Sequence, residues 1–174
     1  MKLSHRILLP LVLVFATLPA HADFNDGIVA HQMGQYEKAY NIMRSLAEAS
    51  NHAYAQYYVG MMYLNGQGVG QDYSRAGEWF LKAAENRVPQ AQYKLARLYF
   101  DGRGLPRDYE RAYAWFRVGA VHNHKLSINS LEEARSNLSD AELEEAEKLS
   151  LELIEKYGPA EGEEPGKPKT LKNQ

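Results

Sequence analysis

Residues 55–84 read AQYYVGMMYLNGQGVGQDYSRAGEWFLKAA, and residues 91–120 repeat the pattern as AQYKLARLYFDGRGLPRDYERAYAWFRVGA. At an offset of 36 residues, 13 positions of the two stretches are identical in one register. A sequence period between about 20 and 50 residues is typical of a solenoid, in which each unit buries its apolar face by stacking on the next. The two copies therefore predict a fold built from stacked repeats.

Each copy contains two apolar stripes with helical spacing. The first stripe consists of Ala55, Val59, Met62 and Tyr63, and the second of Ala76, Trp79, Phe80, Ala83 and Ala84. Each repeat is therefore predicted to be a pair of helices. Small Ala residues and Gly60 should let the two helices approach closely, and the large aromatic residues Tyr63, Trp79 and Phe80 should fill the space between successive pairs.

The segment between the stripes predicts where one helix ends and the next begins. Asn65–Gly68 should end the first helix, because Gly adopts the left-handed conformation at little steric cost. Asp72 is placed to cap the second helix, since its side chain can accept from the free N–H groups of the first turn.

A known family shares this spacing. Between Ala55 and Ala84 the chain is similar to the Sel1-like repeat, a longer-looped relative of the tetratricopeptide repeat, and follows the pattern Ala-x-x-x-x-Gly-x-x-Tyr-x-x-Gly-x-Gly-Val-x-x-Asp-x-x-x-Ala-x-x-Trp-Phe-x-x-Ala-Ala. The second copy departs from it at Ala96, at Leu105-Pro106 and at Gly119, changes that we expect the repeat to tolerate. The resemblance implies an all-α fold, a right-handed superhelical α-solenoid of antiparallel helix pairs.

The flanking segments are interpreted as terminal units of the same stack. The predicted organisation is a signal peptide at 1–22, a tetratricopeptide-like helix pair at 23–52, Sel1-like repeats at 53–88 and 89–124, a capping helix pair at 125–157 and a disordered tail at 158–174. Ser139-Asp140-Ala141-Glu142 is a capping box that should start the last helix. The tail is rich in Pro, Gly, Glu and Lys, a composition that is typical of disorder.

The N-terminus predicts export. Lys2 and Arg6 precede an apolar stretch from Ile7 to Leu18, and Ala20-His21-Ala22 fits the pattern of a signal-peptide cleavage site. The apolar stretch of 12 residues is shorter than the roughly 20 needed to span a bilayer. We therefore expect a periplasmic or secreted protein that begins at Asp23 and is not stably inserted in a membrane.

Composition excludes several classes of function. The chain has 20 Lys plus Arg against 22 Asp plus Glu and no Cys, so it lacks the basic excess of a nucleic-acid binder and any thiol for catalysis or disulfides. Gly66, Gly68 and Gly70 do not form a phosphate-binding motif. His122 and His124 are a weak metal signal without a third ligand nearby in sequence, so we expect no metal and no cofactor.

No catalytic motif is present, and we expect no enzymatic activity. Cysteine-rich members of the resembled family have been linked to β-lactam binding, but this sequence has no Ser-x-x-Lys, Gly-x-Ser-x-Gly or His-Glu-x-x-His motif. The acid pairs Glu132-Glu133 and Glu144-Glu145 are interpreted as surface charge on solvated helices. His31 and His52 stand alone in the sequence and are given no functional role.

The resemblance implies a concave surface lined by the first helix of each pair. Residues expected to project from it are Tyr54, Tyr57, Tyr58, Met61, Gln90, Tyr93, Lys94 and Arg97. Tyr, Met and Arg are enriched where proteins bind proteins. The sequence leaves open the alternative that individual tyrosines pack between helices instead.

Three functions remain open at this level. The first is an exported adaptor that holds a peptide or protein partner on its concave surface. The second is an accessory subunit of an envelope machine, such as the small Sel1-like proteins of some flagellar motors. The third is a cell-wall glycan binder or hydrolase using aromatic rows as stacking platforms, although no acid pair lies within the row.

Overall fold

The computed structural model describes residues 23–160, and this part of the chain is entirely helical. Its eight α-helices are α1 Phe24–Gln32, α2 Tyr36–Ala49, α3 Ala53–Asn65, α4 Tyr73–Glu85, α5 Pro89–Asp101, α6 Tyr109–Val121, α7 Lys125–Arg135 and α8 Asp140–Tyr157. The expected all-α solenoid fold is confirmed. The predicted signal peptide at 1–22 and residues 161–174 of the predicted tail lie outside the described residues.

Helices α1 to α6 form three successive pairs, and each second helix also contacts the first helix of the next pair. Close approach within a pair depends on small residues. A Cβ atom added to Gly60 on α3 would lie 2.7 Å from the ring of Phe80 on α4. Ala55 and Ala91, which occupy the same position in the two repeats, are both fully buried. The apolar core therefore runs continuously along the stack, as the two stripes in each repeat predict.

Helix ends in both repeats follow the chemistry of their sequence. Asp72 and Asp108 cap α4 and α6, and their carboxylates accept from the backbone N–H groups of Arg75 (3.0 Å) and Arg111 (2.8 Å). The first glycine of each loop ends the preceding helix in the left-handed conformation, with φ of 68° at Gly66. The predicted cap and helix end are both confirmed.

The second glycine of each loop joins one unit to the unit before it. Gly68 has φ of 72°, and a Cβ atom there would overlap the backbone carbonyl of Tyr36 at the start of α2. Gly104 has φ of 70°, and a Cβ atom there would overlap the backbone of Tyr73 and Ser74 at the start of α4. The loop of each repeat therefore packs directly against the first turn of the preceding second helix, which only glycine permits.

Successive units are joined by one recurring backbone conformation. Asn51, Arg87 and Asn123 are spaced 36 residues apart, and all three are non-glycine residues in the left-handed region, with φ of 51°, 61° and 60°. Each lies just before a first helix, at the turn into α3, α5 or α7. The 36-residue register therefore continues beyond the two motif-bearing repeats into α7.

The closing unit differs from the helix pair predicted at 125–157. Helix α8 packs mainly along α6 and also contacts α4, whereas it has little contact with α7. The ring of Tyr157 stacks on Trp115 of α6 at 5.8 Å. The carbonyl oxygen of Tyr157 accepts from Nε2 of His122 (3.0 Å) and Nε2 of Gln92 (3.2 Å).

The side chains of α6 and α7 explain this arrangement. On α6, Ala114 and Val118 are fully buried where α4 carries the exposed residues Glu78 and Lys82. On α7, by contrast, the position equivalent to the buried Ala96 of α5 carries the exposed residue Glu132. Helix α6 therefore offers an additional apolar face to α8, and α7 does not.

Trp79 also differs from its expected role. It lies half-buried at the surface with the ammonium group of Lys82 4.2 Å from its ring centroid, rather than filling the space between pairs. Its equivalent Trp115 is buried, because α8 covers it. Tyr63 and Phe80 are buried as expected.

Candidate functional site

The expected site residues lie on α3 and α5, which are first helices of their pairs. We call the surface formed by α1, α3, α5 and α7 the first-helix face. Ring contact between Phe24 and Tyr58, at 5.8 Å, joins α1 to α3. An ion pair between Arg97 and Glu133, at 3.1 Å, joins α5 to α7. Leu64 of α3 and residues of α5 line one cleft, so the four helices contribute to one continuous surface.

Aromatic side chains dominate the α1–α3 part of this face. Phe24 stacks on His52 at 4.6 Å with an interplanar angle of 18°. Tyr58 contacts Phe24 and His31 through its ring. Tyr54 is the most exposed of these side chains, with 44% of its surface accessible. His31 and His52, which were given no role from sequence, thus belong to the walls of this aromatic cluster.

Tyr57 and Tyr93 occupy equivalent positions and serve packing as well as surface. Their rings lie 6.0 Å from Phe80 and 5.8 Å from Phe116, respectively. Burial, with a smaller contribution from Tyr58, raises the pKa of Tyr57 above its ordinary value. Both side chains are half-buried, so one side of each ring supports the core while the rest remains on the first-helix face.

A cleft of about 230 Å³ opens where α3 meets α5. Its walls are formed by Leu64, Phe80, Tyr93, Lys94, Arg97, Leu98, Asp101 and Arg103. The apolar walls include Phe80 and Leu98, which are buried, and the polar walls carry three cations and one carboxylate. Three of the expected site residues, Tyr93, Lys94 and Arg97, line this cleft. Gln90 is exposed at the start of α5, and Met61 is half-buried on α3.

The cations of the cleft differ in how they are neutralised. Arg97 donates to Asp101 at 2.8 Å and to Glu133 at 3.1 Å, and its guanidinium lies 4.9 Å from the ring of Phe100. Within residues 23–160, neither Lys94 nor Arg103 forms an ion pair. Arg97, which was expected on the concave surface from the sequence, is therefore already paired, and the cations without an ion-pair partner are Lys94 and Arg103.

His124 lies next to the cleft and caps α7. Its Nδ1 atom accepts from the backbone N–H of Ser127 at 3.3 Å, and its ring lies 5.3 Å from that of Tyr93. Burial, and to a smaller extent the charge of Lys94, lowers the pKa of His124 below its ordinary value. Both effects favour the neutral imidazole, which is the form that can accept the capping hydrogen bond.

Several contributors to the site were missed from the sequence, among them Leu64, Asp101, Glu133 and Arg103. Leu64 lies seven residues after Tyr57 and shares its helix face, so helical spacing could have found it. Asp101 lies four residues after Arg97, a spacing at which side chains on a helix meet. Glu133 lies 36 residues after Arg97, so the repeat period places it at the equivalent position on the next first helix. Arg103 lies in the glycine loop, where no periodic signal applies.

Two other kinds of site were sought among the described residues. No group of three His, Cys, Asp or Glu side chains between residues 23 and 160 is arranged to hold a metal ion. In the same range, no helix combines the length and apolar character needed to cross a membrane.

Comparisons with known proteins give the chain its relatives. The sequence profile of the Sel1 repeat matches residues 53–87 and 89–120. No curated protein is significantly similar to the chain. Sel1 repeats commonly mediate protein–protein interactions, and the scaffold is generally non-enzymatic.

Two solved structures share the fold. One is c5321, a protective antigen present in uropathogenic Escherichia coli strains displaying an SLR fold; it is 32% identical with a TM-score of 0.74 over 78% of this chain. The other is a Sel1 repeat protein from Oxalobacter formigenes, 26% identical with a TM-score of 0.60 over 75% of this chain. The chain spans 30% of the first protein and 56% of the second. With two matched repeats and solved neighbours of the same architecture, the chain carries Sel1 repeats and has the fold of Sel1-repeat proteins.

Proposed function

We propose that the chain is an exported adaptor that binds an extended peptide or a helix of another protein along its first-helix face. The observation that carries the proposal is the continuity of that face. An aromatic cluster on α1 and α3 is followed directly by a basic cleft between α3 and α5. Aromatic anchors beside a polar pocket are the arrangement found at the energetic centre of protein interfaces.

The exposed tyrosine of this face is the best first probe. Tyr54 is 44% exposed, so its replacement by Ala leaves the core intact and removes contact area only. Leu151, which is 60% exposed on α8, is a matched control outside the first-helix face. Tyr54→Ala should weaken binding by about 2 kcal/mol or more, whereas Leu151→Ala should leave it unchanged.

Finding the partner requires a test of which face it contacts. A photoreactive phenylalanine analogue is introduced at Tyr54 or Gln90 on the first-helix face, or at Leu151 on α8, and crosslinked in the native cell. We expect one protein to be captured from the first two positions and not from the third. If a protein is captured from Leu151 and none from Tyr54 or Gln90, the binding surface lies elsewhere and the proposal is refuted.

Export is a separate part of the proposal and rests on residues 1–22. Mass spectrometry of the protein recovered outside the cytoplasm should find Asp23 as the first residue. A mature cytoplasmic species that retains Met1 would remove export from the proposal and leave the binding surface untouched.

A further inference from the structure

The cleft between α3 and α5 carries positive charge that the described part of the chain does not neutralise. Arg97 is balanced by Asp101 and Glu133, which occupy both of its terminal nitrogens. Lys94 lies one turn before Arg97 on α5, and Arg103 lies just beyond the end of α5; neither has an ion-pair partner within residues 23–160. The cleft therefore presents two cations without an ion-pair partner beside Arg97 and its two carboxylates, which leaves a local net charge of +1. The guanidinium of Arg103 also lies 5.9 Å from the ring centroid of Tyr73.

The size of the cleft limits what it can bind. Pockets for drug-sized ligands and cofactors usually measure about 300 to 1,000 Å³, and this cleft measures about 230 Å³. It has room for a side chain rather than for a nucleotide. The terminal nitrogens of Arg97 each face a carboxylate, so this guanidinium is not free to chelate a phosphate in the two-pronged manner that arginine favours.

We infer that this cleft is a carboxylate subsite, which takes a Glu or Asp side chain of the bound partner between Lys94 and Arg103. The methylene groups of that side chain pack against Leu64 and the ring of Tyr93, which line the same cleft. Its carboxylate receives charge-assisted hydrogen bonds from Lys94 and Arg103. This inference rests on the proposed function, because it specifies the chemistry of the partner segment at one position on the first-helix face.

The neighbouring aromatic cluster sets the rest of the recognition pattern. Tyr54 and Tyr58 lie on α3, one to three turns before Leu64 along the same helix. A partner segment crossing both regions would place an apolar or aromatic residue on the tyrosines and an acidic residue in the cleft. The predicted binding motif is therefore an acidic residue at a fixed distance from an apolar anchor.

Selection from random peptides tests this inference without knowledge of the partner. A phage-displayed library of random 12-residue peptides is selected on the full chain, and the enriched peptides are synthesised. We expect Glu or Asp at one fixed position, and a Glu→Gln or Asp→Asn change there should weaken binding about tenfold or more. In the K94Q/R103Q variant the acidic and neutral peptides should bind equally.

A matched variant controls for net charge. K82Q/R107Q removes two positive charges from residues that do not line the cleft, so it should retain the preference for the acidic peptide. A second readout is the pKa of His124, measured by NMR titration. It should rise when the acidic peptide binds, because the peptide carboxylate offsets the positive charge of Lys94.

The possible results separate the inference from the proposed function. Enriched peptides without an acidic position, whose binding is nevertheless lost in Tyr54→Ala, would overturn the carboxylate subsite and leave the groove in place. Absence of enrichment, or binding that is insensitive to both Tyr54→Ala and K94Q/R103Q, would overturn both. If acidic peptides are selected only after Glu161, Glu163 and Glu164 are changed to Gln, the chain's own tail occupies the cleft, and the assignment to a separate partner is wrong.

Discussion

Single residues in this chain are shaped by contacts that a motif does not reveal. Gly119 occupies the position that Ala83 holds in the first repeat, and Ser127 occupies that of Ala91. A Cβ atom at Gly119 would overlap Oγ of Ser127. The Gly at 119, which the sequence suggested was merely tolerated, therefore compensates for the larger residue at 127.

The Gly119–Ser127 contact yields the first prediction. Gly119→Ala should destabilise the protein by about 1 to 3 kcal/mol through overpacking. The double variant G119A/S127A restores the Ala-Ala combination of the first repeat and should recover most of the loss. Urea unfolding of the four chains in the double-mutant cycle measures the coupling. Additive effects of the two changes would show that this contact does not explain the glycine.

The second glycine of the loop yields another prediction at this scale. Gly104→Ala should destabilise the protein by about 2 kcal/mol or more, since it combines a left-handed φ with overlap against the backbone of Tyr73. Gly70→Ala is the matched control in the other repeat loop, because a Cβ atom there meets nothing within 4 Å. Thermal unfolding of both variants gives the comparison. Equal melting temperatures would contradict the role assigned to Gly104.

The sequence predicted the role of a residue correctly where that role depends on neighbouring residues in the chain. Gly66 and Asp72 have local functions, ending one helix and capping the next, and both were predicted correctly. Gly68 was grouped with Gly66 because its partner, the first turn of α2, lies 32 residues earlier in the chain. Only the stacked structure shows that the two glycines act for different reasons.

At the scale of helices, the first helices of successive units start in different ways. Histidine caps α3 and α7, since Nδ1 of His52 and of His124 accepts from the backbone N–H three residues later. Val88 holds the equivalent position before α5 and has no capping side chain, but Pro89 follows it at the first helical position. Proline is favoured there because its missing N–H needs no acceptor.

The cap at His124 predicts a pH-dependent stability. Because folding lowers its pKa, the neutral form is favoured in the native state; the contribution is complete above the unfolded pKa of about 6.5 and is lost as the pH falls below it. Protonation removes the Nδ1 acceptor, and a lost cap costs about 1 kcal/mol. His124→Asn keeps an acceptor that does not titrate.

Urea unfolding at pH 7.5 and pH 5.5 measures this effect. The wild-type chain should lose more stability between the two values than His124→Asn does. Both chains contain the other histidines, so their contributions cancel in the comparison. If the two chains lose stability in parallel, the cap does not control the pH response.

At the scale of the whole molecule, the stack is closed by a helix that leaves the repeat pattern. The Gly-x-Gly and Trp-Phe elements predicted the solenoid, because each recurs at a fixed period. The position of α8 was not predicted, although Ala114 and Val118 replace the charged residues Glu78 and Lys82. This change from charged to apolar residues at equivalent positions could have indicated that another helix covers α6. The sequence predicted which residues of α3 and α5 lie on the binding surface, but not how their charges are paired. Arg97 is paired with Glu133 of α7, and α7 was not placed beside it from the sequence.

Removal of α8 tests its role as the closing element. A chain ending at Leu138 bares Trp115 and the buried face of α6, so its melting temperature should fall and its tryptophan fluorescence should shift to longer wavelength. A chain ending at Ala160 is the control and should melt like the full chain. Tyr157→Ala gives a milder form of the same change if the shorter chain aggregates. Unchanged melting in both altered chains would mean that α8 does not close the core.

The three left-handed joints at Asn51, Arg87 and Asn123 make the number of units a heritable variable. Because every joint has the same backbone conformation and the same spacing, unequal crossing-over between two joints would remove or duplicate one whole unit while the path of the backbone through the joint is kept. The ends of the molecule stay as they are while its middle grows or shrinks. The length of the surface offered to a partner would then change by one unit at a time during evolution, before the residues that each unit presents have changed.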